Sequence, residues 1–262
     1  MVVITPEGTA PEVGRDRAAA TGTECGLKGS RTRSLCAVPL MFRAGDRGTV
    51  MSRGPTTLKH MSDLLWTVSD LHLGHQRVAE TRGFSDTGDH DRVVLDGLRA
   101  VPDGSVLLCL GDISVRKDAY ALGRLAELKA EKNLTMWLIP GNHDRIHPMF
   151  GPESVAEWTP LYREIFDVIA LDLQVRIGRW QVLMTHLPRA SGKDAVPDPH
   201  QTPQLARWAG REGFDCTVHG HTHSPVPVRR KHVNLSLEAT GMAPVSPERL
   251  EELVTQAVRF RG

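Results

Sequence analysis

Five short groups of metal-binding side chains follow one another along the chain: Asp70-x-His72, Gly111-Asp112, Gly141-Asn142-His143-Asp144, Thr185-His186 and Gly220-His221-x-His223. Carboxylate, amide oxygen and imidazole together suit divalent cations that accept mixed oxygen and nitrogen shells, such as manganese, iron, zinc, cobalt or nickel. Singly, each group has a plainer use. Asp70 and His72 can share a local hydrogen bond, Gly141-Asn142 suits a tight turn, His221-x-His223 can hold a structural zinc or simply be solvated, and a lone His186 is more often a satisfied histidine than a ligand. In this order, each behind an apolar run, they describe one assembled site. Two cations roughly 4 Å apart need an anion shared between them, because bare divalent ions repel strongly. Asp112 is the candidate bridge. Imidazole and amide ligands would complete the shells without cancelling the charge, leaving the site attractive to an anionic phosphoryl group.

The apolar runs that must position these groups read as strands over residues 64–68, 105–110, 134–139, 180–184 and 216–218, all rich in Val, Leu, Ile, Met or Trp. Helical spacing of Val, Leu and Ala over 91–100 and 118–130 separates them, so strand and helix alternate as in a layered α/β domain. That arrangement gathers strand carboxyl ends, and the motifs with them, on one edge. Further on, Val233, Leu235 and Leu237 alternate with Asn234, Ser236 and Glu238, predicting a half-buried strand. Ser246-Pro247-Glu248 then opens a last helix whose buried face is Leu250, Leu253 and Val254. Segments 84–90, 146–160 and 188–203 read as loops, where substrate choice would reside.

The chain has 262 residues, 40% hydrophobic and 24% charged, and a formal charge of +1. Residues 63–262 suffice for one α/β domain. Residues 1–62 mix Gly, Thr, Arg, Pro and Ser without periodicity and read as a disordered tail, or as a misassigned start if translation begins at Met51 or Met61. Residues 1–60 hold nine Lys/Arg against five Asp/Glu, hence +4, and the remainder 23 against 26, hence −3. Bulk charge therefore gives no argument for nucleic acid. Cys25, Cys36, Cys109 and Cys216 lack C-x-x-C spacing, which fits a reducing, cytoplasmic setting. No stretch reaches the roughly 18 apolar residues a membrane span needs. Segment 35–42 alone resembles a secretion signal, but it contains Pro39 and lies far from the first residue.

From residue 64 to about 259 the ordered set D-x-H, G-D, G-N-H-[DE], H, G-H-x-H resembles the calcineurin-like metallophosphoesterase superfamily. The resemblance implies a four-layer α/β/β/α sandwich of two packed mixed sheets. It implies a first metal ion held by Asp70, His72, Asp112 and His223, and a second by Asp112, Asn142, His186 and His221. It further implies attack on phosphorus by a metal-bridging hydroxide, with His143 stabilising or protonating the leaving oxygen. Mn²⁺ is the expected activating ion.

Ser69-Asp70-Leu71-His72-Leu73-Gly74-His75 and Asn234-Leu235-Ser236-Leu237-Glu238 are similar to segments of small bacterial and phage-type members. That similarity points to a phosphodiester substrate, with nucleotides or nucleic-acid fragments as candidates; a phosphomonoester or cyclic nucleotide is the alternative. Gly111-Asp112 runs into Ile113-Ser114-Val115-Arg116-Lys117 where protein phosphatases continue G-D-x-V-D-R-G, which argues against that class. Only about forty residues follow His223, too few for the capping domain of DNA-end nucleases. A scaffold that kept the fold and lost the chemistry would lack ligands, and here all are present. His75, Arg116, Arg145 and Arg189 are candidates for phosphate contact, Asp144 for orienting His143 or its turn, and His219 for supporting its loop. Trp137 and Trp208 fit packing roles. Neither oligomeric state nor natural substrate is written in a motif.

Overall fold

The computed structural model describes residues 65–200 and 202–260. The tail expected over 1–62, its two alternative starts, Cys25 and Cys36 all lie outside the described residues. Strands β1 (Leu65–Val68), β2 (Val106–Cys109), β3 (Thr135–Leu138) and β4 (Val168–Ile169) form one sheet in that order. On the β1 edge Val245 adds one antiparallel bridge at Thr67, while the four strands pair parallel to one another. The physical reason is that every return is helical: α1 (Gln76–Thr81) and α2 (Thr87–Arg99) join β1 to β2, α3 (Asp118–Lys132) joins β2 to β3, and α4 (Gly151–Ile165) joins β3 to β4.

A second sheet contains β5 (Asp172–Ile177), β6 (Trp180–Thr185), β7 (Cys216–His219), β8 (Val228–Arg229) and β9 (His232–Asn234), ordered β5-β6-β7-β9-β8. This one is mixed, with antiparallel pairs at both edges around a parallel centre. The remaining helices are α5 (Pro203–Ala206), α6 (Leu237–Thr240) and α7 (Pro247–Arg259).

Side chains alternate across each strand, so four residues supply two layers. Val68, Leu107, Cys109, Met136 and Leu138 face α2, α3 and α4. Leu65, Val106, Leu108 and Trp137 face the other way and meet Leu173, Val175, Val182, Met184, Cys216, Val218 and Val233 between the sheets, joined by Leu250, Leu253 and Val254 of α7. The opposite face of the second sheet buries Thr217, His219 and His232 under the stretch whose Gly210 lies against Thr217 and bonds back to Leu187. The expected order of layers holds, with the last one reduced to α5 and its flanking loops.

Strand boundaries fall within one or two residues of those expected. Two loop expectations are overturned. α2 starts at Thr87, because Asp86 accepts from the Asp89 amide at 2.9 Å and caps the helix. Much of 146–160 belongs to α4, whose Pro152 and Pro160 mask a helical spacing of Trp158, Tyr162 and Ile165. The strand expected over 233–238 is confined to His232–Asn234, and Leu237 opens α6. It is not half-buried either. Asn234 and Ser236 point inward because Asn234 Oδ1 accepts from both the amide and the hydroxyl of Ser236, at 3.1 and 2.9 Å.

Candidate metal centre

The ligand loops extend the ladders of the strands that carry them. Asp70 N and His72 N donate to the carbonyls of Gly111 and Asp112, both at 3.0 Å, and Gly220 N donates to His186 O at 3.0 Å. These bonds set the loops after β1 and β2 side by side, and likewise those after β6 and β7. Asp70 (φ 59°), His72 (50°), Asp112 (54°), His221 (68°) and His223 (49°) all lie in the left-handed region. They are five of the nine non-glycine residues with positive φ among the described residues. Each such residue costs on the order of 1 kcal/mol or more, so the clustering marks a place where side-chain direction outweighs backbone comfort. Two glycines permit the approach. A Cβ on Gly141 would overlap Asp112 Oδ1, and one on Gly220 would overlap Ser69 Oγ and Asp70 Oδ2.

All seven expected ligands converge. Asp70, His72 and His223 form one group and Asp112, His186 and His221 a second, each with ligand atoms within 4.8 Å of one another. Asn142 Oδ1 lies 3.1 Å from His186 Nε2, completing the second group. Asp112 Oδ2 stands between the groups, 3.8 Å from His72 Nε2 and 3.3 Å from His186 Nε2. His72 Nε2 and His223 Nε2 are 3.0 Å apart. His143 sits at the rim, 43% exposed, with Nε2 4.0 Å from Asp112 Oδ2 and its amide donating to Asp112 Oδ1 at 2.9 Å.

Asp70 and Asp112 are buried, yet among the described residues neither pairs with Lys or Arg; their close partners are imidazoles. Two buried carboxylates without the fixed charge of Lys or Arg are costly. Cations held among them would supply the missing charge, so the donor set fits divalent metal. Burial holds the His72 imidazole well below its usual range despite Asp112 beside it, favouring the neutral form that ligates. Burial would likewise lower His186, but the Asp112 carboxylate more than offsets it and raises the imidazole to about 10. Reciprocally, burial pushes Asp112 up, and the imidazoles around it, His186 foremost, bring it well below the carboxylate range.

Around these side chains lies a set of fixed supports. Asp144 accepts from the amides of Gly141 and Asp112 with Oδ2, at 2.7 and 2.9 Å, and from Ile113 with Oδ1 at 3.0 Å. Of the two roles expected for Asp144, it therefore serves the turn. Burial and the Asp112 charge raise it to about 8 in spite of those amides. His186 Nδ1 donates to Leu110 O at 2.6 Å, which leaves Nε2 facing Asp112 and Asn142.

His75 lies beside the centre, its ring 5.9 Å from that of His72. The arginines have other contacts. Arg189 binds Glu212 and Asp194, Arg145 stacks over Trp158, and Arg116 is exposed. His219 is buried with its Nδ1 on Gly220 O, and burial with the neighbouring His232 lowers it to about 3. Trp137 is buried between the sheets, whereas Trp208 is half-buried with its ring against His147.

Sequence reasoning missed three residues. Glu238, quoted without a role, accepts from His223 Nδ1 at 2.7 Å. Burial would raise it, but His223 and Arg82 hold it far below the carboxylate range. Asp198 Oδ2 lies 3.0 Å from His221 Nε2, and the His200 ring is 6.0 Å from that of His221. The signal for the last two was slight: an acid and a histidine between prolines, in a segment otherwise read as loop.

The family model for calcineurin-like phosphoesterases matches residues 64–225. The chain is 29% identical over 214 residues to the Gene 66 protein of Mycobacterium phage L5, covering 75% of this chain and 97% of the phage protein. It is 32% identical over 171 residues to the Gene 66 protein of Mycobacterium phage D29, covering 62% and 79%. A solved structure of a protein of unknown function from Aquifex aeolicus superposes with a TM-score of 0.50 at 20% identity, covering 72% of this chain and 98% of that one.

Proposed function

The chain belongs to the calcineurin-like phosphoesterases, and on that premise we propose that it hydrolyses phosphodiester bonds, with nucleotides or nucleic-acid fragments as substrates. Metal-dependent hydrolysis of a phosphoric ester is the activity of the family; the diester, the pair of ions and the residue roles are our reading. The observation that carries it is the pairing of two buried carboxylates, Asp70 and Asp112, ringed by imidazoles and one amide and without Lys or Arg counter-ions among the described residues.

Asp70, His72, Asp112 and His223 would hold one divalent ion, and Asp112, Asn142, His186 and His221 the other, with Mn²⁺ the favoured metal. Bound there, the ions would supply Lewis acidity toward a phosphoryl oxygen and acidify a water. The protein's part is positioning. Asp112 spans both groups, and its Oδ1 is fixed by the His143 amide. His143, the most exposed of the group, would hand a proton to the leaving oxygen. The buried free thiols Cys109 and Cys216 support a cytoplasmic setting, and among the described residues no helix is long and apolar enough to cross a membrane.

The test is a substrate panel of chromogenic diesters, chromogenic monoesters and cyclic nucleotides, offered to metal-stripped protein resupplied with Mn²⁺. Diester turnover exceeding monoester turnover is expected. Failure on every acyclic diester while a monoester or a cyclic nucleotide is cleaved would overturn the substrate assignment.

A further inference from the structure

Behind the first metal-ligand group lies a buried chain of polar contacts that none of the five motifs contains. Arg82 is its hub, with a side chain 2% exposed. Its Nη2 donates to Asp70 O at 2.8 Å and its Nη1 to Leu71 O at 3.3 Å, inside the loop that places Asp70 and His72. Its Nε donates to Glu238 Oε1 at 2.9 Å, and that same oxygen accepts from His223 Nδ1 at 2.7 Å. On the far side, Arg82 Nη1 lies 2.9 Å from His90 Nε2, and His90 Nδ1 lies 2.8 Å from Asp91 Oδ1. Asp91 Oδ2 then takes the Gly74 amide at 2.8 Å and the Tyr120 hydroxyl at 2.9 Å. Both ends of the Asp70–Gly74 loop are thus tied to one network, and so is His223, which arrives from the other sheet.

We propose that Arg82 and Glu238 are positioning residues: the guanidinium fixes the Glu238 carboxylate, which holds His223 Nδ1–H and so aims the Nε2 lone pair beside that of His72 at the first metal position. An imidazole that gives its Nδ1 proton to a carboxylate keeps one tautomer and one ring orientation, and such outer contacts typically govern metal affinity by about 10- to 100-fold. Arg82 also stabilises a loop in which Asp70 and His72 are both left-handed, by satisfying carbonyls that the strands leave unpaired. Neither residue is among the side chains assigned to the ions.

The inference rests on the reading of two bound ions, and the test separates the two. Mn²⁺ alone is titrated into metal-stripped protein, with bound and free ion followed by electron paramagnetic resonance, for the wild type, Glu238→Ala, Glu238→Gln, and Arg82→Met paired with Glu238→Met. The paired variant removes the orientation without stranding a buried charge. Wild type is expected to take two ions. Glu238→Ala and the paired variant should weaken one of them by about 10- to 100-fold and leave the other within about threefold. Glu238→Gln, whose amide oxygen can still accept from Nδ1–H, should recover much of the loss. Two ions bound at wild-type affinity in Glu238→Ala and in the paired variant would overturn the positioning role. Fewer than two ions in the wild type would instead overturn the dinuclear reading.

Discussion

The two halves of the proposed centre are built from like side chains but supported differently. The half containing Asp70, His72 and His223 leans on an ion pair, Arg82 with Glu238, whose members sit at the end of α1 and on α6. In the half containing Asp112, Asn142 and His186, the outer carboxylate is Asp198, 3.0 Å from His221 and carried by a stretch without helix or strand. The second half gains its rigidity elsewhere, from His186 on the Leu110 carbonyl and from Asp144 gripping three amides of the turns. One half is thus held from behind by a side-chain ion pair that locks His223, and the other mainly by backbone, through the Leu110 carbonyl on His186 and the amides gathered by Asp144. Ligand identity alone would make the two positions look equivalent. Their outer contacts show that they should respond to different substitutions.

Perturbations can break or sharpen that contrast. The largest effect is expected from Asp112→Asn, since this carboxylate belongs to both halves: turnover should fall on the order of 10³-fold or more, and a Mn²⁺ titration should show both ions weakened. An effect confined to one ion would deny the bridging role. Gly220→Ala should come next, because its Cβ has no space beside Ser69 and Asp70. It displaces Asp70 of the first half and, through His221 beside it and the Gly220 amide on His186, disturbs the second, so both ions should weaken and turnover should fall about 10²-fold. His143→Ala lies outside both halves, so both ions should bind as in the wild type while turnover drops about 10²- to 10⁴-fold; unchanged turnover would remove His143 from the chemistry. Asp198→Asn should be milder, weakening the second ion by about 10-fold or less because a loop carries the support. If it matches Glu238→Ala in size, the contrast drawn here is wrong.

A pH experiment addresses the packing beneath the second sheet and beside the centre. Burial holds His232, and likewise His147, at about 4. Both are neutral when folded but would take up a proton near the ordinary value of about 6.5 once unfolded. The unfolded chain therefore binds more protons between about 6.5 and 4, and stability falls as pH is lowered through that window. Between about pH 6.5 and pH 4 the melting temperature of the wild type should fall relative to that of His232→Asn, because only the wild type carries the buried neutral imidazole at this position. Identical pH dependence in the wild type and His232→Asn would contradict the assignment.

The candidate ligands stood out in the sequence because each is a residue whose chemistry is unusual behind an apolar run, and because five such groups share one order. Their conformations were not legible: nothing in Asp70 or His72 announces a left-handed backbone. The supports escaped for another reason. Arg82 and Glu238 are 156 residues apart, and an ion pair across such a separation leaves no local spacing to read. α4 escaped because two prolines look like a loop, although Pro152 sits in its first turn, where a missing amide costs little. β4, β5 and β8 carry no motif at their ends, so a reading led by the motifs passed over them.

The central claim is that two ions shared through Asp112 carry out the hydrolysis. The most direct measurement titrates metal-stripped protein with Mn²⁺ while following both bound ions and turnover of a chromogenic phosphodiester, with Asp112→Asn alongside. Turnover should appear as the second ion fills and be absent from Asp112→Asn. Full turnover with one ion bound, or turnover that survives in Asp112→Asn, would contradict it.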